Sequence, residues 1–242
     1  MSLLVLMLHR ARAGREREPG AALEALLALV ARSFNCVLPG EPLDRRRLNV
    51  CLTFDDAYYD VFTLLPPLLE RHDLRAVMAV PTGLIRESAN TPAAERLEVP
   101  LAEALALPES GGLCTWPELE SLAATGRFAF AAHGHTHVRL RRRSADIDRE
   151  VVEPRRLLER CLSARVESFV YPIGHFDREV HALVRRHYRY AFRIGQASNA
   201  GWDAPVLYRV DAERMAPPER YFSPLNRLRF RRNALWNRLR GR

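Results

Sequence analysis

Seven short apolar runs, separated by polar or helix-patterned stretches, set the strongest limit on what this chain can fold into. They are residues 3–8, 49–54, 76–80, 128–132, 167–171, 190–194 and 206–210. An apolar run of this length reads as a strand buried on both faces, which occurs where helices cover a parallel sheet. Helical spacing between them predicts helices over 21–34, 58–72, 116–124, 144–162 and 177–187. Pro66 and Pro67 imply a kink or broken start in the second, and Thr115 and Gly126 mark the cap and stop of the third. Residues 81–113, with Pro, Gly, Asn and Ser and little periodicity, read as an excursion between barrel elements. The expected fold is a distorted or incomplete (β/α) barrel of about seven parallel strands, with a doubly wound open sheet as the alternative.

Charge bears on partners. The chain has 37 Arg, no Lys and 29 acidic residues, for a net charge of +8. Residues 220–242 hold eight Arg and no acid, so residues 1–219 are formally neutral. A neutral body lacks the clustered basic face that duplex binding needs, and no specific nucleic-acid partner is expected. The chain therefore divides into a body, 1–219, and a basic tail, 220–242, expected to be helical. Leu225, Leu228, Leu235, Trp236 and Leu239 fall near one face of that helix with Arg around them, a pattern suited to peripheral contact with an anionic membrane. A helix packed on the barrel or a solvated, frayed terminus is the alternative. The N-terminal apolar run has no basic residue before it and no small-residue cleavage site, so a cytoplasmic protein is expected, with the tail at the inner membrane face. Four scattered cysteines read as free thiols.

The polar residues of interest collect at the C-terminal ends of predicted strands: His9, Asp55 and Asp56, then His133, His135 and His137, then Tyr171 and Pro172. Parallel barrels and open α/β sheets build their active sites there. Two adjacent carboxylates at the end of a buried run cost several kcal/mol without partners. Either one could instead cap the following helix. His133 and His137, four apart, can face one side and chelate a metal. One carboxylate with two imidazoles suits a divalent ion, with Zn²⁺ expected and Co²⁺ or Ni²⁺ as alternatives. Such an ion lowers the pKa of bound water from 15.7 to about 7. If Asp56 is the ligand, Asp55 stays free to act as general base.

These pieces, in this order, resemble the polysaccharide deacetylases, carbohydrate esterase family four: TFDD at 53–56, the His pair at 133 and 137, and FVYPIG at 169–174. The resemblance runs from the first strand to Val210. It implies a metal-dependent hydrolase that removes an N-acetyl group from an amino sugar or glycan intermediate. Asp55 would be the base, and Asp56, His133 and His137 the metal ligands. LMLHR resembles the branch acting on poly-N-acetylglucosamine, which implies His9 as general acid; a buried structural His is the other reading. Tyr171 and Pro172 would line the substrate and oxyanion site. Pro172 has no N–H, so the Tyr171 amide is the expected donor. Three positions depart from the family: Ala57 for a glycine, Gly134 for Ser or Thr, and Val170 for an Arg. Arg209 is expected in the substrate and oxyanion group, or as the charge that replaces that Arg beside the base. The missing export signal favours an intracellular substrate such as a lipid-linked or nucleotide-linked sugar. A metal-dependent hydrolase of another amide or imide, and a non-catalytic glycan-binding barrel, are the alternatives.

Overall fold

A computed structural model of the chain describes residues 2–12, 20–141, 146–213 and 217–239. Seven parallel strands close into a barrel: β1 (Leu3–Leu8), β3 (Asn49–Phe54), β4 (Ala76–Val80), β5 (Phe128–Ala132), β6 (Ser168–Val170), β7 (Tyr190–Ile194) and β8 (Leu207–Asp211). Closure comes from β1, which pairs with β3 along its length (Leu3 opposite Asn49) and with β8 (Val5 opposite Arg209). An eighth strand, the dipeptide β2 (Asn35–Cys36), pairs with the start of β3, whereas β4 pairs with the end of β3 at Thr53 and Phe54. The seam between β3 and β4 is thus split, and this is the barrel's main distortion. The open doubly wound sheet is not what forms, because β1 has partners on both edges.

Burial on both faces follows the side-chain alternation of a strand. Leu4, Leu6 and Leu8 join Val50, Leu52, Phe54, Met78 and Val80 in the layer beneath the helices. Leu3 and Val5 join Cys51, Val77, Ala79, Ala131, Val170, Phe192 and Leu207 inside the barrel, where Trp202 packs edge-on against Tyr190. The inward parity matters for the site. Continued past the strand ends, it carries His9, Asp55 and His133 toward the barrel mouth, and within β8 it carries Arg209.

The helices are α1 (Ala21–Ser33), α2 (Tyr59–Arg71), α3 (Ala93–Glu98), α4 (Leu101–Ala106), α5 (Trp116–Ala124), α6 (Ile147–Val151), α7 (Glu153–Leu162), α8 (Arg178–His187), α9 (Glu219–Phe222) and α10 (Pro224–Leu239). Pro66 and Pro67 lie inside α2, which runs through both, so of the expected kink or broken start the helix shows no broken start. Helix α5 begins with the Thr115 N–H donating to the Glu118 carboxylate at 2.7 Å and stops before Gly126 at φ 68°. The single helix expected over 144–162 is two, since Pro154 sits in the first turn of α7 and cannot continue the α6 ladder; residues 144 and 145 lie outside the described residues. The excursion after β4 holds α3 and α4. Buried Arg96 anchors it, bidentate to Glu118 at 2.6 and 2.8 Å and stacked over the Tyr59 ring. Cys36, Cys51, Cys114 and Cys161 are all free thiols.

Candidate active site

Adjacent residues on a strand point to opposite faces, so two neighbouring aspartates can share one site only if the backbone breaks the alternation. It does so after β3. Asp55 still pairs as strand, its N–H donating to the Leu8 carbonyl at 2.8 Å. Asp56 and Ala57 then take φ of 69° and 54°. Left-handed backbone costs about 1–2 kcal/mol at a residue with a Cβ, and here it brings the Asp56 carboxylate to the barrel mouth beside that of Asp55. His137 and Ile173 are left-handed too, at φ 54° and 59°. Strain of this kind collects at functional sites.

The second half of the site is the turn after β5. Gly134, at φ 73°, faces the Glu150 carboxylate of α6, which accepts from the N–H groups of His135 (2.7 Å) and Thr136 (3.0 Å) and from the Thr136 hydroxyl (2.5 Å). A Cβ at Gly134 would lie 3.0 Å from that carboxylate. A side chain at this position would thus crowd the buried carboxylate that organises the turn. His135 turns away from the mouth, its Nδ1 3.0 Å from the Thr82 hydroxyl.

Three side chains converge between these halves. Asp56 Oδ1 is 3.4 Å from His133 Nε2 and 3.3 Å from His137 Nε2, and the three ligand atoms lie within 4.8 Å of one another. His133 Nδ1 is 2.8 Å from the Val170 carbonyl, which can only accept; the proton therefore sits on Nδ1 and the Nε2 lone pair faces Asp56. Burial drives the His133 pKa down to about 3 and, with the neighbouring Asp55 charge, lifts Asp56 to about 6 despite His137. Asp56 Oδ1 is buried with no hydrogen-bond partner among the described residues. A buried carboxylate oxygen without a donor, facing a neutral imidazole lone pair, fits a divalent cation and is costly without one.

Asp55 has a different environment. Arg209 crosses from β8 and donates from both terminal nitrogens, Nη1 to Oδ1 at 2.6 Å and Nη2 to Oδ2 at 2.8 Å, and Nη1 also reaches the Thr53 hydroxyl at 3.2 Å. Burial alone would raise Asp55, but Arg209 and the nearby histidines outweigh it and hold the carboxyl well below the usual range. Asp55 Oδ2 lies 4.0 Å from His9 Nε2 and 3.9 Å from His133 Nε2. One oxygen of Glu213, just past β8, accepts from both the His9 backbone N–H and its Nδ1, each at 3.0 Å. Burial opposes the imidazolium, yet Glu213, Asp55 and Asp56 raise the His9 pKa to about 9.

Two expected residues are placed as follows. Of its two expected places, Arg209 takes the one beside Asp55 and not one facing substrate: it is 1% exposed and both terminal nitrogens donate to Asp55. The Tyr171 amide cannot serve an oxyanion, because the β6–β7 register commits it to the Phe192 carbonyl at 2.9 Å. Its side chain lies in the layer under the helices, the hydroxyl 2.7 Å from His181 Nδ1. Pro172 has no N–H, so the next amide is that of Ile173, which has no acceptor among the described residues. Glu213 and Glu150 escape the sequence reading. The inward parity of β8 could have pointed toward Glu213, whereas Glu150 sits in a charged helical stretch with no signal of its own.

Residues 44–191 match the model of a family described as polysaccharide deacetylase. The chain is also similar to several solved structures. A polysaccharide deacetylase from Bacillus cereus, BC0361, aligns at 15% identity over 92% of this chain and 68% of its own, with a TM-score of 0.71. Deacetylase PplD from Streptococcus pyogenes, solved with acetate, aligns at 19% identity over 95% and 98%, with a TM-score of 0.67. IcaB from Ammonifex degensii aligns at 18% identity over 87% and 91%, with a TM-score of 0.66. At these identities the structural likeness is one of fold. No curated protein matches the sequence.

Proposed function

The chain belongs to the polysaccharide deacetylase family, hydrolases of N-acetyl amide bonds on sugars, and from that premise we propose that it hydrolyses the acetamide of an amino sugar or glycan intermediate with Asp55 as general base and His9 as general acid. The observation that carries this reading is the contrast between neighbouring carboxylates: Asp56 faces two imidazoles with an unpartnered oxygen, while Asp55 is ionised by a bidentate arginine. Asp56, His133 and His137 would hold a divalent ion, Zn²⁺ being the best match to this donor set, which would supply Lewis acidity and acidify water at the mouth.

Each remaining step falls to a residue of this chain. Asp55 is kept charged at neutral pH by Arg209, so it is ready to accept a proton as the water oxygen adds to the acetamide carbon. The Ile173 N–H would donate to the oxygen that gains charge on that carbon. His9 remains an imidazolium at neutral pH. Its Nε2, on the side away from Glu213, would give its proton to the sugar nitrogen as the C–N bond breaks. Acetate and a free amine result, and solvent returns a proton to His9 as Asp55 loses the one it took.

The test is acetate release from a panel of N-acetyl sugars and glycan oligomers, with metal content measured on the same preparations. Asp55→Asn is expected to retain bound metal and lose at least about 100-fold in kcat. His133→Ala is expected to lose both. Metal-dependent hydrolysis of other amides or cyclic imides, with no release from any N-acetyl sugar, would favour the alternative hydrolase. Glycan binding that is indifferent to Asp55→Asn and to chelation would favour a non-catalytic barrel.

A further inference from the structure

We propose that α10 is a docking surface for an anionic lipid bilayer. One side of this helix is fastened to the barrel. The Asn233 and Asn237 amides donate to the carbonyls of Gln196 (2.7 Å) and Gly195 (2.9 Å), the Phe230 carbonyl accepts from Ser198 N–H (3.2 Å), and the Phe230 side chain is buried. Positions 230, 233 and 237 recur at helical spacing, so the opposite side points away from the protein. There stand Leu225, Leu228, Leu235, Trp236 and Leu239, between 54% and 77% exposed. The other exposed large apolar residues among the described residues are Leu101 and Leu107, at the two ends of α4, and Val138 and Ile173 in separate loops. Five large apolar side chains on one side of a helix, interrupted only by Arg232 in their midst, mark an interaction surface.

Charge identifies the occupant. Arg229, Arg231 and Arg232 are exposed on α10, and neither they nor Arg227 have a carboxylate partner among the described residues. On the body, where acidic residues equal the arginines in number, Arg71, Arg75, Arg127 and Arg165 pair with Glu24, Glu41, Asp73 and Glu167. Leucine and tryptophan side chains bordered by unpaired arginines, with no acid from residue 220 onward, complement a negatively charged membrane interface: the apolar groups enter the acyl boundary and the guanidinium groups meet phosphates. A nucleic acid would use the arginines and leave the leucines in water. A second copy of the chain would bring arginine against arginine. No helix among the described residues is long and apolar enough to cross a membrane, so the contact is with the surface. Residues 195 and 196, to which α10 is tied, directly follow the C-terminal end of β7, so docking acts at the end of the barrel that carries the site.

This inference rests on α10 alone and not on the deacetylase reading, and its test has its own readout. The full-chain protein is sedimented with vesicles of phosphatidylcholine carrying about 30% phosphatidylglycerol, and with phosphatidylcholine alone. Binding is expected to the anionic vesicles and to weaken with salt. The pair Leu228→Ser with Leu235→Ser is expected to reduce partitioning at least about tenfold, since each removes apolar area from the interface. Replacing Arg229, Arg231 and Arg232 by Gln is expected to reduce it about fivefold per residue. Both sets are exposed, so the unfolding temperature and acetate release should be unchanged. The proposal is overturned if the unaltered protein ignores anionic vesicles, or if either set binds them as the unaltered protein does. It is equally overturned if the face proves to be a contact between copies, seen as a dimer that the leucine pair dissolves. Tighter binding to a duplex oligonucleotide, insensitive to the leucine pair, would also sink it.

Discussion

Arg209 grips Asp55 through both terminal nitrogens, at 2.6 and 2.8 Å, across the barrel from β8 to the end of β3, with both side chains buried. Removing one partner of such a pair leaves an uncompensated buried charge, at a cost of about 3–5 kcal/mol. Arg209→Met is expected to lose that much in denaturant unfolding at pH 7. Because Asp55 has a depressed folded pKa, the pair's contribution is fully present above the unfolded carboxylate value of about 3.9 and is lost as pH falls below it. The gap between Arg209→Met and the unaltered protein should therefore narrow on acidification. A constant gap from pH 7 to pH 3 would show that Asp55 is not the reason.

Glu213 holds the charge on His9. With a folded pKa of about 9, above the unfolded 6.5, His9 contributes stability that is complete below about pH 6.5 and lost as pH rises through 9. If His9 donates the proton to the leaving amine, activity should fall on the alkaline side near that value. Glu213→Gln is expected to move that limb to lower pH, with the acidic limb unchanged. An alkaline limb in the same place in both proteins would remove His9 from the role.

Glu150 shapes the loop that presents His133 and His137 by taking three hydrogen bonds from His135 and Thr136. Outer groups of this kind are worth about 10- to 100-fold in metal affinity. Glu150→Ala is expected to weaken Zn²⁺ binding by that factor in competition with a chromophoric chelator. Affinity equal to that of the unaltered protein would show that the loop holds its shape without the carboxylate.

If Asp56, His133 and His137 hold an ion, chelation should lower the unfolding temperature, since an ion bound to the folded site would relieve the unpartnered Asp56 oxygen. Re-added Zn²⁺ is expected to restore it. His133→Ala, already without a ligand, should show little response to either treatment; a full response there would place the ion elsewhere.

Ala57 carries a Cβ at φ 54°, next to Asp56 at φ 69°. Ala57→Gly relieves left-handed strain but frees the unfolded chain and opens a small gap in the core, so its effect should lie within about 1 kcal/mol of zero. Ala57→Val, β-branched in the same conformation, is expected to cost about 2 kcal/mol or more. Circular-dichroism melts compare the two directly.

Much of the barrel was readable from local pattern, because strands covered on both faces are apolar along nearly their whole length; residues 3–8, 76–80 and 128–132 are such runs, and 49–54 is one apart from Asn49 and Thr53. The polar interruptions at their ends, Asp55, Asp56, His133 and His137, stood out for the same reason: polarity at the end of a buried strand is costly and invites a partner. What local pattern could not supply was anything set by register between distant segments. Whether the Tyr171 amide is free depends on β6 meeting β7 at Phe192, and nothing near Tyr171 encodes that pairing. Glu150 and Glu213 lie among other charged residues, where a carboxylate raises no suspicion until folding buries it or brings it to a histidine. Sequence alone determined which side chains must be buried and which buried ones need partners; only the tertiary structure, by closing β1 onto both β3 and β8, decided that the partner of Asp55 is an arginine 154 residues away.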